Sequence, residues 1–367
     1  MSILFVGLDV HKETISVAVA EDGRDGEVRS HGTIESSPVH IGKLLKRLSA
    51  NRRQLHFCYE AGPCGYGLYR QIIEAGHSCT VAAPSSIPYK PGERVKTDRL
   101  DAMKLARLLR VGELTRVWVP DVAHEAMRDL VRSRADAMQH LMANKRQLLA
   151  FLLRQGRIYS GGKHWTRAHS GWLAMQTFEH PAHQIVFQDY INAVHDGQRR
   201  HRELVAMIES MASEWSMKPL LDALCVMRGI DVISAATILC ATGDLRRFPT
   251  PGQLSAYFGL VPAEHSSGGH VKRSGITKTG NMEVRRVLDQ CAWCYRYPAR
   301  VAINKERFYH AASQQVRDVA WRAQVRLCTR YRKLIARGKK SPVACIAVAR
   351  ELATFIWEMG QVVPLPS

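Results

Sequence analysis

Four carboxylates in the first third of the chain sit where metal-dependent phosphoryl chemistry would need them. Asp9 ends the apolar run ILFVGLD, and Glu60 ends a second one, LHFCYE. A carboxylate closing a run that is otherwise buried is costly unless something compensates it. Asp98 and Asp101, in KTDRLDA, stand three residues apart at the start of a helical pattern and so share one helix face. Two strand ends and one helix start can converge on a pair of magnesium ions. Two such ions roughly 4 Å apart activate an attacking oxygen and stabilise the leaving one. Taken singly, each acid also has a plainer role: Asp98 as a helix cap, Asp101 as a partner of Arg94 or Lys104, Asp9 as a strand-turn residue. The four together favour a metal site.

A second constellation lies in SSGGHVKRSGITKTGN. Ser-Ser-Gly-Gly reads as a tight turn that leaves a hydroxyl accessible beside permissive backbone. Either Ser266 or Ser267 could present that hydroxyl. Lys272, Arg273 and Lys278 follow closely, Arg285 and Arg286 recur one helix later, and all five are candidates to hold phosphate. A serine hydroxyl is a weak nucleophile until something activates it. His265 and His270 are adjacent, but no His–Asp pair is placed in sequence to do so. Taken alone, the segment is a plain loop.

The elements that must position these residues follow from periodicity. ILFVGLDVH, ISVAVAED and EVRSHGTIE are three strands joined by short turns, an antiparallel meander. IGKLLKRLSA is a helix, LHFCYEA a strand, GYGLYRQIIEAG a helix closed by Gly76 and CTVAAP a short strand. DRLDAMKLARLLR is a further helix and RVWVP a last strand. That order is the order of an α/β ribonuclease-H-like (RuvC-like) domain, a likeness of fold that carries no chemistry by itself. From Val122 to about Gln155 one long helix is expected, suited to a coiled coil or dimerisation arm. More helix follows through INAVHDGQRRHRELVAMIESMASEW, and LDALCVMRGIDVISAATILCATGDLRRF reads as a helix-hairpin-helix within a mainly α C-terminal domain. RLCTRYRKLIARGKK is a basic helix, and KSPVACIAVARELATFIWEM is a core-packing one. The expected parts are thus 1–121, a metal-binding domain; 122–217, a helical oligomerisation region; 218–310, the domain of the candidate serine; and 311–367, a basic helical tail.

The whole chain narrows the partners. Its 367 residues carry 52 Lys and Arg against 33 Asp and Glu, a net charge of +19, which attracts polyanions such as nucleic acid. Nine cysteines without regular spacing form no disulfide framework, and Cys291-x-x-Cys294 lacks two further zinc ligands nearby, so buried helix thiols are expected there. No signal peptide and no membrane-spanning run are read, and a reduced, cytoplasmic protein is the expectation.

GLDVHK, YEAGPCGYGLYR and KTDRLDAMKLARLL resemble the N-terminal motifs of the DEDD transposases of the insertion-sequence one-ten family, which include the Piv-type DNA invertases. LRRFPTPGQLSAYFGLVPAEHSSGGHVKRSGITKTGNMEVRRVL resembles that family's second domain, in which a serine before glycine precedes a GITKxGN block. The resemblance implies that Asp9, Glu60, Asp98 and Asp101 form a RuvC-like site for magnesium, with manganese as an alternative. It implies that Ser267 and the acids assemble one composite active site, in which the serine attacks a scissile phosphate to give a covalent phosphoserine. It further implies excision and insertion of the element's own DNA between donor and target sites, specified by an RNA transcribed from the element. A dimer or tetramer is expected, since recombination holds two duplexes at once. One departure stands out: RGID, Arg228 to Asp231, replaces a Pro-Gly-Ile-Gly type turn, which weakens the expectation that this turn contacts DNA directly.

Two other readings use the same residues. In a junction-resolvase-like metal nuclease, water attacks and Ser267 is structural. In a non-catalytic nucleic-acid-binding relic, four carboxylates facing a polyanion have no purpose.

Overall fold

The computed structural model describes residues 3–23, 26–50, 53–88, 97–267 and 270–365; for residues 265–267 and 270–274 only the backbone is described. The chain forms two compact units, Met1–Val119 and Pro120–Ser367.

The first unit is a mixed α/β domain. Strands β1 (Ile3–Val10), β2 (Thr14–Glu21) and β3 (Val28–Glu35) form the expected antiparallel meander. Helix α1 (Pro38–Ser49), strand β4 (Gln54–Glu60), helix α2 (Gly67–Glu74), strand β5 (Ser78–Ala82) and helix α3 (Asp98–Arg110) complete it. The sheet order is β3-β2-β1-β4-β5, with β4 and β5 parallel to β1. A parallel return needs a crossover, and α1 and α2 supply one each. The sheet's buried face packs Val6, Leu8, Ile15 and Phe57 against Ile41, Leu44, Leu45 and Leu48 of α1. RVWVP, expected as a strand, makes only an isolated bridge, Ala82 with Arg116. Two backbone bonds hold it, Ala83 N–H to Thr115 O and Val117 N–H to Val81 O, while Val117 and Val119 lean on the core. Its β-branched residues are there for packing, and the ladder ends after one rung.

The second unit is helical apart from one hairpin. Helices α4 (Val122–Arg154), α5 (Arg167–Ala174) and α6 (Pro181–Ala212) lead into α7 (Lys218–Val226), α8 (Val232–Thr242) and α9 (Pro251–Tyr257). Strands β6 (Pro262–Ser267) and β7 (His270–Ile276) pair antiparallel, and α10 (Met282–Ala292), α11 (Glu306–Ala311), α12 (Gln314–Ala336) and α13 (Ser341–Val362) follow. Helix α6 begins ten residues before the expected INAVHD, at a Pro that suits a first helical turn. It packs against α4: Leu141, Leu148, Phe151 and Leu152 meet Phe187 and Val194, and Asn144 Nδ2 donates to Ala193 O at 2.9 Å. Much of the long helix's apolar stripe is therefore covered within the chain. Helices α7 and α8 flank a turn at Gly229 (φ 83°), where an added Cβ would lie 2.6 Å from Cys291 O. Asp231 of the departing RGID sequence caps α8, its carboxylate accepting from Ser234 N–H at 2.7 Å. Helix α13 is the core helix its pattern suggests, with Val348, Leu352, Ile356 and Met359 all buried. Cys291 is buried on α10, and burial pushes its thiol up to about 12, as expected of an inert core cysteine.

Candidate metal centre and the serine hairpin

The acidic site starts from a glycine. An added Cβ on Gly7 of β1 would stand 2.2 Å from the carbonyl oxygen of Ala102 and 2.4 Å from the nitrogen of Ala106. Only glycine lets α3 approach the sheet this closely. The helix meets it with small residues: Ala102 and Ala106 are buried against Ala18 and Ala20 of β2. Cys58, paired laterally with Gly7, directs its thiol at Leu105 O, 3.4 Å away. Side chains alternate along a strand, so Asp9 and Glu60, two residues beyond Gly7 and Cys58, belong to the same sheet face. The register that ends at Leu8–Tyr59 makes them the next positions along neighbouring parallel strands.

The first turn of α3 carries the other two acids. Thr97 caps the helix, its hydroxyl accepting from Leu100 N–H at 3.3 Å, so the capping role considered for Asp98 falls to its neighbour. That leaves the exposed Asp98 carboxylate available. His11 Nε2–H donates to Asp9 Oδ2 at 3.2 Å and lies 3.6 Å from Asp98 Oδ1. One ligand atom each from Asp9, His11 and Asp98 lies within 4.8 Å of the others. Asp101 acts on the same point through its charge. Glu60 is exposed at the end of the adjacent strand and is outside this trio. Arg94, considered as a partner of Asp101, lies outside the described residues.

The electrostatics favour a cation. Asp9 is 18% exposed in its side chain, and this burial raises its carboxyl above the ordinary aspartate value. His11 opposes the rise, while Asp98 and Asp101 add to it by repulsion. A divalent ion among these groups would remove both penalties at once. Carboxylate oxygens are the donors magnesium and manganese prefer, and an imidazole suits manganese better than magnesium. The residues present therefore fit such an ion. His11 escaped the sequence reading, although its signal was available: it lies two residues beyond Asp9, the spacing that returns a strand's side chain to the same face.

The serine hairpin belongs to the second unit. Ser266 pairs with Val271 and Ser267 with His270 across β6 and β7. Gly268 and Gly269 lie outside the described residues, as do the side chains of Ser266, Ser267, Lys272 and Arg273. The block that follows has a local structural account. Lys278 is exposed at φ 57°, a left-handed conformation unusual for a side-chain-bearing residue. Thr277 N–H donates to Val261 O at 2.9 Å and Lys278 N–H to Gly259 O at 3.1 Å. An added Cβ on Gly280 would stand 2.1 Å from Tyr257 O, which explains the glycine there. Asn281 caps α10 through bonds from Glu283 N–H and Val284 N–H, both 3.0 Å. Arg285 Nη1 donates to Phe258 O at 2.9 Å, and Arg286 lies 3.8 Å from Glu283.

Two family models match this chain. One, described as "Transposase IS116/IS110/IS902 family", covers residues 221–310, and a DEDD transposase model described as "Transposase" covers residues 6–155. The chain is 51% identical over 357 residues to "Putative transposase y4qE" of Sinorhizobium fredii, spanning 97% of this chain and 88% of that one. It is 31% identical over 343 residues to the "Transposase for insertion sequence element IS1533" of Leptospira borgpetersenii, spanning 92% of this chain and 98% of that one. With both halves matched and a full-length relative at this identity, the chain belongs to the IS116/IS110/IS902 family of transposases.

Proposed function

We propose that the protein cuts and rejoins DNA to excise and insert its own insertion sequence, with Asp9, Glu60, Asp98 and Asp101 holding magnesium and Ser267 as nucleophile. The observation that carries this reading is the convergence of Asp9 and Asp98, with His11, on a point where mutual repulsion and burial favour a bound cation. When bound, the metal supplies Lewis-acid polarisation of a phosphate and neutralises charge built up on its oxygens. The chain's own groups do the rest. Asp9 and Asp98 would hold the ion that binds the phosphate, and Gly7 sets the helix–sheet approach that fixes them. Ser267 loses its hydroxyl proton and forms an Oγ–phosphorus bond as a phosphate–sugar ester bond breaks, the sugar oxygen leaving as a protonated hydroxyl, which conserves the phosphoester for rejoining. Lys272, Arg273, Lys278, Arg285 and Arg286 neutralise flanking phosphates.

The finer architecture belongs to the same proposal: a RuvC-like fold for 1–121, oligomerisation through a coiled coil in 122–217, a helix-hairpin-helix and the nucleophile in 218–310, and a basic tail in 311–367. A dimer or tetramer holds donor and target duplexes, and an element-encoded RNA selects them. The net charge of +19 supports a nucleic-acid partner of either kind.

The test incubates purified protein with magnesium, labelled element-junction DNA and RNA transcribed from the element's flank. A denaturation-resistant protein–DNA adduct, lost in Ser267→Ala, is the expected result. Nicked DNA without an adduct, unchanged by Ser267→Ala, would overturn the serine step in favour of a metal nuclease using water.

A further inference from the structure

The second unit holds a concentration of positive charge far along the chain from the serine hairpin. Arg228, Arg300 and Lys305 line a narrow cleft together with Gln324, and no carboxylate lines it among the described residues. Lys305 is only 8% exposed, and its ammonium donates to Ile230 O and, at 3.0 Å, to Cys225 O. An ammonium has three donors, so one remains for whatever enters the cleft. Gln324 is 5% exposed and lines the same cleft. Arg300 is exposed and makes no ion pair among the described residues. Buried polar groups nearly always find partners. The third donor of the buried Lys305 and the exposed guanidinium of Arg300, beside Arg228, which donates to Pro298 O at 2.6 Å, therefore point to an anion.

Size then decides which anion and how it lies. The enclosed space is about 20 Å³, room for a phosphate oxygen or a water and far too small for a nucleobase. At its rim stands Trp321 on α12, 44% exposed. The same indole also lines a wide groove of about 880 Å³ between α12 and α13, with Arg322, Arg326 and Phe355. Of the groove's charged residues, Arg326 donates to Glu351 at 3.0 Å, while Arg330, outside the lining, also donates to Glu351 at 2.9 Å and Arg322 pairs with Glu358, likewise outside it. A cleft with room for one phosphate oxygen, an exposed indole and a groove wide enough for a base adjoin one another through Trp321. That arrangement matches the repeat of a single strand, in which phosphates follow charge and bases stack on aromatic faces.

We infer that this surface binds single-stranded nucleic acid, with one backbone phosphate seated over the Arg228–Arg300–Lys305 cleft, an oxygen of it entering, and the adjoining base stacked on Trp321. A duplex keeps its bases stacked inside and offers none to Trp321, so the surface discriminates for unpaired strand. The inference rests on the nucleic-acid reading for its polyanion, but its residues belong neither to the acidic site nor to the serine hairpin.

The test measures anisotropy of labelled 12-nucleotide single-stranded DNA, the matching RNA and a DNA duplex against the full chain. EDTA is present throughout, so cleavage plays no part. Trp321→Ala is expected to weaken single-strand binding about 5- to 100-fold, the size of one lost base stack, and to leave duplex binding unchanged. Trp321→Phe should retain most of the affinity. Arg300→Ala should reduce the slope of log affinity against log salt by about 0.7, one phosphate contact on a single strand. Both residues are exposed, so both variants should fold, and melting curves check it. Tighter binding of DNA or of RNA identifies which strand the surface takes. Wild-type single-strand affinity in Trp321→Ala and Arg300→Ala would overturn the inference, as would equal loss of duplex binding. Because metal is absent, failure of the adduct experiment leaves this result standing, and the converse holds too.

Discussion

The acidic trio in the first unit and the Lys305 cleft in the second are charged sites built on opposite principles. At the trio, like charges are gathered and only partly compensated: Asp9 is half-buried, Asp98 and Asp101 repel it, and one histidine offsets them. At the cleft, the buried charge is held by backbone dipoles, two carbonyls accepting from Lys305, while Arg228 donates to Pro298 O and Arg300 is exposed. The first arrangement is poised for a small cation that relieves repulsion. The second is stable by itself and offers leftover donors to a larger anion. The lesson concerns removal. Deleting a charge from the trio should stabilise the empty protein, whereas deleting the cleft's charge should destabilise it.

The largest effect tests the scaffold under the trio. Gly7→Val places side-chain atoms where Ala102 O and Ala106 N already stand, so α3 must move off the sheet. We expect a loss of about 3 kcal/mol or more in the first unit, read as an early transition in chemical denaturation, together with loss of DNA strand cleavage. A variant with wild-type stability would break the account of how the acids are positioned.

Next comes Lys305→Met, which strands the carbonyls of Cys225 and Ile230 in a buried setting. A loss of about 2–4 kcal/mol from the second unit is expected, since each unsatisfied buried group costs about 1–3 kcal/mol. Neutral stability would show that the ammonium is not held as described.

A smaller change has the opposite sign. The carboxyl of Asp9 is raised in the folded protein, so its contribution to stability is present below its ordinary value near 3.8 and is lost as pH rises through the raised value. At neutral pH in EDTA the ionised group opposes folding. Asp9→Asn should therefore raise the melting temperature of the first unit by about 2 °C at pH 7, with the gain vanishing below pH 4. A loss of stability at pH 7 would show that the His11 bond outweighs the repulsion.

The smallest effect concerns His124, buried at the start of α4 with its Nε2 on Cys240 O at 3.3 Å. Burial lowers its basicity below the ordinary value of 6.5, so its contribution is present above pH 6.5 and is lost as pH falls through the lowered value. The second unit should thus melt progressively earlier in acid, and His124→Phe should flatten that slope.

The two sites also differ in how far they could be read from sequence. Asp9 stood out in the sequence because it closes an apolar run, and Asp98 because it opens a helical pattern; Glu60 closes a second run but lies outside the trio. The meander, the long α4 and the core helix α13 were legible for the same reason: their signals are periodic and local. Gly7 was not, since its necessity depends on Ala102 and Ala106, almost a hundred residues away. Nor was His11, hidden in a turn beside a more conspicuous aspartate. RVWVP has strand composition but spends it on packing, and nothing local distinguishes one bridge from a full ladder. Lys305 is the extreme case. A lysine in INKER reads as solvated surface, and only tertiary structure buries it under Cys225 and Ile230.

The central claim, that the Asp9–Asp98 site holds a divalent cation, is tested most directly by manganese binding followed by electron paramagnetic resonance on the full chain at pH 7.5. The account predicts saturable uptake by the wild-type protein, competed by magnesium and weakened at least about tenfold in Asp9→Asn. Equal uptake by Asp9→Asn, or none by either protein, would contradict it.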